Sequence, residues 1–354
     1  MSYASRAEFA YAMHKVRVVF GARALATLPG ELDRAGMRRV LLITTPGRAA
    51  EREAIVTLLA DRLAEHFDRA KTHVPQDTVL DAREVAARAR PDALLTLGGG
   101  AAIGLGKALA LETGLPLAAI PTTYSGSEMT SIWGISDVNV KRTGRDPRVA
   151  PQLVLYDPEL TYGLPAAVSA SSGMNAIAHC VEATYAHDGG PVSSLLALDG
   201  LRRLANALPI IMASARDPDA RANALAGAHL AGCALDMSSM GLHHKLAHTL
   251  GGSFGLPHAE THAALQPWVM AYNAPAAAVA MADIAAALGS EDSVSGMIAL
   301  TRTLGTPTLA NLGFTRDMIP KAAALACASS YPNPRKVDEA GVRSILEHAL
   351  AGRI

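Results

Sequence analysis

Short apolar runs recur between Val16 and Asp157 and then stop: VRVVF at 16–20, VLLIT at 40–44, ALLTL at 93–97, LAAIP at 117–121 and LVLYD at 153–157. Runs of this length without polar alternation read as parallel strands buried on both faces. Between them lie AAEREAIVTLLADRLAEHF and VLDAREVAARAR, whose apolar residues recur at the three- and four-residue spacing of an amphipathic helix. The first part of the chain is therefore a βαβ series, an α/β domain on a parallel sheet. After Pro158 the strand signal disappears. Ala/Leu-rich segments at 170–186, 192–214, 219–250, 257–271, 275–288, 293–304, 315–328 and 338–350 predict an all-α remainder. The stretch YDPELTYGLP carries the Pro and Gly of a linker. The expected division is thus an α/β domain at 1–157 and an all-helical domain at 158–354, and 354 residues exceed the ~250 that one core usually serves.

Composition narrows the partners. The 32 basic residues balance 32 acidic ones, so the chain lacks the field that nucleic acid or an anionic membrane requires. Cys180, Cys233 and Cys327 have no CxxC spacing and read as reduced thiols. The N-terminal segment has charges at Arg6, Glu8, Lys15 and Arg17 and no apolar h-region. The most apolar stretch, 92–122, is broken by Lys107, Glu112 and several glycines. A cytoplasmic protein is expected, with a small-molecule partner.

LLTLGGGAAIGLGKALALE sets Gly98, Gly99 and Gly100 directly between a strand and a helix. Such a turn brings backbone N–H groups up to a phosphate at a helix N-terminus, although a tight turn alone needs the same glycines. The GLGK that follows is not a P-loop, since no Ser or Thr follows Lys107. The next strand ends in Pro121, Thr122 and Thr123, then Tyr124-Ser125-Gly126-Ser127-Glu128, a second polar loop at the same sheet edge. Open α/β sheets bind ligands at that edge, which favours the phosphate reading.

Histidines crowd into GLHHKLAHTLGGSFGLPHAETH. His244 and His248 are four apart on one helix face, on a helix expected to stop at Gly251-Gly252, and Pro257-His258 opens the next helix. Asn175 and His179 are four apart on a third. Three helix faces converging on one site is the reading these spacings support. His243, His262, His187 and His14 are expected to sit at the surface or in caps.

GGG after the third strand, PTT after the fourth, DPEL at the boundary and HxxxH followed by PH together resemble the iron-containing alcohol dehydrogenases over nearly the whole chain. The resemblance implies a dehydroquinate synthase-like fold with an α/β dinucleotide-binding domain and an all-α domain, NADH or NADPH as cofactor, and a homodimer. In metal-dependent members the places of Asn175, His179, His244 and His258 bind a divalent metal. An amide at 175 removes the set's only anion, so a bound metal is not expected; if one is present, His179, His244 and His258 hold it. PTTYSGSEMT, MNAIAH, LHHKLAHTLGGSF and LPHAETHA are similar in particular to the maleylacetate reductase branch, which acts without metal. That branch reduces maleylacetate to 3-oxoadipate in aromatic-ring catabolism. The resemblance places the cofactor on Gly98, Gly99, Gly100, Ala101, Thr122, Thr123 and Ser127, and the substrate site on Asn175, His179, His244, His248 and His258. Ala101 stands where many members have Ser, and Gly104 where many have Asp. Two other readings stand beside it: a metal-dependent alcohol or aldehyde dehydrogenase of the same family, and a nucleotide-binding structural protein that has lost catalysis. A metal-requiring lyase is opposed by Asn175.

The end of the second strand offers Thr44, Thr45 and Arg48 and no acidic residue to repel a 2′-phosphate, so NADPH as well as NADH is expected to bind. Lys141, Arg142, Lys245 and Arg335 are candidate grips for carboxylates. Hydride addition to the enone that the resemblance implies would leave an enolate oxyanion, and His244 or His248 is the expected donor to it or the source of the proton.

Overall fold

The computed structural model describes residues 8–47, 49–137 and 140–352, so Arg48 lies outside it, as does the side chain of Lys141. By internal contacts the chain forms two compact units, Met13–Leu164 and Pro165–Ile354, with the described residues of Met1–Ala12 grouped with the second. The first division falls seven residues past the expected 157. Asp157 accepts the N–H groups of Arg23 and Leu25, and Leu160 packs on the sheet's own core, which hold this turn to the strands.

The α/β unit runs β1 (Arg17–Phe20), α1 (Leu28–Ala35), β2 (Val40–Thr44), α2 (Ala49–Leu59), β3 (Leu63–Phe67), α3 (Gln76–Ala89), β4 (Ala93–Gly98), α4 (Gly100–Thr113), β5 (Leu117–Pro121), β6 (Ile132–Asp137), β7 (Val140–Arg145) and β8 (Leu153–Tyr156). Six strands form one parallel sheet in the order β1-β8-β5-β4-β2-β3, and β6 pairs antiparallel with β7. Leu41 and Ile43 pack with α3 and α4 on one face, while Val40 and Leu42 pack with α1 and α2 on the other, as the two-residue period of a strand requires. The expected strands are all present, and two features differ. The segment read as one helix over 49–67 is α2 followed by β3, because Ala60 adopts φ 46 and stops the helix without a Gly or Pro to announce it. The β6–β7 hairpin was not expected.

The helical unit comprises α5 (Ala166–Tyr185), α6 (Pro191–Ala213), α7 (Pro218–Asp236), α8 (Leu242–Phe254), α9 (His258–Asn273), α10 (Ala278–Leu288), α11 (Ser293–Leu304), α12 (Ile319–Cys327) and α13 (Glu339–Ala351). α5 is buried from Ser169 to Tyr185 and packs against α6, α7 and α9. The single segment expected at 219–250 is broken between Asp236 and Leu242. α8 runs through Gly251 and Gly252 and ends at Gly255, whose φ of 71 suits glycine. No helix among the described residues is long and apolar enough to cross a membrane.

Candidate active site

In the α/β unit, Thr44 pairs with Leu97 and Gly98 with Pro121, so the turns after β2, β4 and β5 leave the sheet at one level. α2 and α4 then leave to opposite faces, which makes the gap between β2 and β4 the topological switch point where open sheets bind ligands. Gly98 has φ 147, and a Cβ there would lie 3.0 Å from Ala102 Cβ. A Cβ on Gly99 would lie 2.6 Å from Thr123 Oγ1, whereas one on Gly100 would meet nothing within 4 Å. Two of the three glycines are therefore demanded by close packing. The first N–H groups of α4, from Gly100 and Ala101 onward, have no intrahelical acceptor and face outward at the helix's positive end. Thr122 Oγ1 and Ser125 Oγ are buried without a partner among the described residues. This cradle fits a nucleotide pyrophosphate.

Lys107 is buried and donates to Ser127 O at 2.5 Å, Thr130 Oγ1 at 2.8 Å and Ile132 O at 3.0 Å, fastening the polar loop rather than reaching a ligand. The Ser127 carbonyl is thus engaged. Beside it Glu128 is fully buried, and burial raises its carboxyl to about 7 against the hydrogen bond from Tyr156 Oη at 2.9 Å. Thr44 Oγ1 lies 2.9 Å from His66 Nε2, so its hydroxyl already has a protein partner; Thr45 is half-buried.

The helical unit brings together every histidine of the expected cluster and two more. Ring centroids lie 5.1 Å apart for His179 and His244, 6.1 Å for His244 and His248, and 5.8 Å for His248 and His258. His262 lies 4.6 Å from His258, 4.8 Å from His244, 4.9 Å from His243 and 6.4 Å from His179. His243 and His262, expected at the surface, are 1% and 0% exposed, and His243 Nε2 is hydrogen-bonded to His262 Nδ1 at 2.9 Å. Asn175, His179 and His244 are buried, while His248 is exposed.

α8 begins at Gly241, which has no side chain to cap it. Glu182, reaching from α5, accepts the N–H groups of Gly241 at 3.0 Å, His243 at 2.8 Å and His244 at 3.3 Å, and Asn333 Oδ1 accepts that of Leu242 at 3.3 Å. Glu182 Oε2 also receives His244 Nδ1 at 2.6 Å. Burial alone would raise this carboxyl; the hydrogen bond and charge of His244 and the pull of His243 outweigh it and hold it below the usual value. Glu182 was missed in the sequence, although Asn175, His179 and Glu182 at i, i+4 and i+7 share one helix face. Burial is the first cause that holds His179 and His262 well below the usual imidazole value and His243 down to about 3, so these three rings are neutral.

Asn175 Oδ1, His179 Nδ1, His243 Nδ1, His244 Nε2, His262 Nε2 and Gln266 Oε1 are buried with no hydrogen-bond partner among the described residues. That set can receive a polar ligand. A divalent metal fits it poorly. The set itself carries no anion, because an amide stands at 175 and Glu182, the carboxylate bonded to the cluster, is already occupied by N–H groups. A cavity of about 210 Å³ borders Glu182 and Gly241 but none of the clustered imidazoles. Of the candidate carboxylate grips, Arg335 lies over the Tyr272 ring at 4.2 Å and Arg142 donates to Gln76 at 2.7 Å, whereas Lys245 follows His244 on α8.

Residues 15–158 match the family described as iron-containing alcohol dehydrogenase, and residues 169–350 match the Fe-containing alcohol dehydrogenase family, C-terminal. The chain is 49% identical to a maleylacetate reductase of Burkholderia cepacia over 95% of this chain and 96% of that one. It is 45% identical to a maleylacetate reductase of Sphingobium indicum over 98% of each. The crystal structure of maleylacetate reductase from Agrobacterium tumefaciens superposes with a TM-score of 0.95 at 42% identity, covering 98% of this chain and 99% of that one.

Proposed function

The chain belongs to the iron-containing alcohol dehydrogenase family and is an oxidoreductase, and on that premise we propose that it is a maleylacetate reductase that works with NADH or NADPH and without a metal. The observation that carries the metal-independent part is the helical site itself, an amide and clustered imidazoles in which the carboxylate Glu182 is bonded to His244 and to the backbone. The names of the relatives support the substrate.

The cradle of Gly98, Gly99, Gly100 and Ala101, with Thr122, Thr123 and Ser127, holds the nucleotide, with Thr44 and Thr45 at the neighbouring strand end. A bound reduced nicotinamide supplies hydride. Addition at the substrate carbon β to the ketone moves the double-bond electrons onto the carbonyl oxygen. His244 Nε2 donates to that oxygen and supplies the proton that ends on the α carbon, and Glu182 behind Nδ1 supports the positive charge while the imidazole holds that proton. His179, His258 and Asn175 complete the pocket, and His248 stands at its exposed side. Without a second carboxylate, the pocket accepts a dianion more readily. The protein acts on a small dicarboxylate as a cytoplasmic homodimer.

The test is product formation from freshly generated maleylacetate with each nucleotide, with simple aldehydes in parallel. The reading expects 3-oxoadipate and turnover with both NADH and NADPH, because no acidic residue ends β2. Reduction of aldehydes alone, or an NADH preference beyond about a thousandfold, would count against it.

A further inference from the structure

We infer that His262 is a further catalytic residue, a second hydrogen-bond donor to the oxygen on which charge gathers, and that His243 positions it. The assignment rests on the proposed reduction. His262 is the one ring of the cluster in contact range of all five others, with centroids 4.6 to 6.5 Å from His258, His244, His243, His179 and His248. It is built as His244 is built. Each uses Nδ1 for a protein partner, Glu182 for His244 and His243 for His262, and each leaves a buried Nε2 without a partner among the described residues. An imidazole nitrogen buried in this way is unfavourable until a ligand atom completes it.

The two anchors set different roles. A carboxylate on Nδ1 supports His244 as a cation that gives up a proton. A neutral imidazole on Nδ1 supports no charge. The role proposed for His262 requires His243 to donate from its Nε2, its own buried Nδ1 having no partner among the described residues; His262 then accepts at Nδ1 and carries its proton on Nε2, where it acts as a fixed neutral donor. In a site shielded from water such a donor stabilises a developing oxyanion at no cost of reorganisation. Glu260, on the same helix, and Lys245 are the nearest charged neighbours in sequence; both are only partly buried and neither is needed for this role.

The experiment combines His262→Phe, His243→Phe and wild type, with kinetics on a substrate that wild type demonstrably reduces and ¹⁵N NMR of histidine-labelled wild-type protein. Failure with maleylacetate then counts against the proposed function and leaves the role of His262 to be read on the substrate that is turned over. The inference expects His262→Phe to lower kcat by about 10²- to 10³-fold with the KM for NADH unchanged. It expects His243→Phe to lower kcat less, and the wild-type spectrum to show the His262 proton on Nε2. A folded His262→Phe variant with near-normal kcat overturns it. So does a spectrum that places the His262 proton on Nδ1, a reading that stands even where the variants fail to fold.

Discussion

With an amide at 175, Glu182 is the carboxylate hydrogen-bonded to the imidazole cluster, and four N–H groups hold it in place. Asn175→Asp brings a second negative charge beside these rings. That change is expected to lower kcat/KM for the dicarboxylate at least about tenfold and to raise iron or zinc uptake, read by steady-state kinetics and metal analysis of the same preparation. Glu182→Ala strips the start of α8 and leaves His244 without its anchor. Thermal or denaturant unfolding should show a loss of roughly 3 kcal/mol or more, with activity abolished. The spacings made Asn175, His179, His244, His248 and His258 legible, because residues four apart share a helix face and a His after Pro starts a helix. Glu182 obeyed the same rule three residues past His179 and was passed over, since a lone Glu on an Ala-rich helix looks like a solvated charge. His243 and His262 hid for a different reason: only the packing of α8 against α9 turns them inward.

At the scale of elements, the turn from β4 into α4 separates glycines that packing demands from one that it does not. Gly99→Ala pushes a methyl into Thr123, whereas Gly100→Ala meets open space. Titration of NADH by fluorescence quenching should show binding weakened at least about tenfold by the first change and less by the second, which keeps the Gly100 N–H and displaces no protein atom. Equal effects would remove Thr123 from the argument. The strand–GGG–helix order was legible because a parallel sheet leaves its glycine turn at a fixed edge. The close approach of Thr123 to Gly99 was not, as it arises between two loops that sequence spacing does not relate. β3 escaped for a local reason. Its edge position leaves LAEHF only partly buried, with Glu65 exposed, which mimics an amphipathic helix, and the left-handed Ala60 that separates it from α2 has no sequence signature.

Across the molecule, the division into a parallel-sheet unit and a helical unit follows from the loss of strand signal after Pro158, and Glu128 in the first unit and the buried imidazoles of the second answer to pH in opposite directions. In the α/β unit Glu128 titrates near 7 when folded against an ordinary value near 4.5, so its contribution is complete below about pH 4.5 and is lost as pH rises through 7. The loss amounts to roughly 3 kcal/mol. In the helical unit His179, His243 and His262 are held neutral, so stability is complete above about pH 6.5 and drains away as pH falls below it. Trp133 lies in the first unit and Trp268 in the second. Denaturation followed through single-tryptophan variants should show the Trp133 signal weaken at pH 8 relative to pH 5, with Glu128→Gln flattening it, and the Trp268 signal weaken at pH 5. Parallel behaviour of the two signals would contradict this assignment. The central claim is that imidazoles and an amide perform the reduction where relatives of the same fold employ a metal. It is tested most directly by following NADH oxidation with maleylacetate in exhaustively chelated protein whose iron and zinc are assayed on the same sample. The account predicts an undiminished rate at metal contents far below one atom per chain; a rate that vanishes with chelation and returns on adding iron or zinc would contradict it.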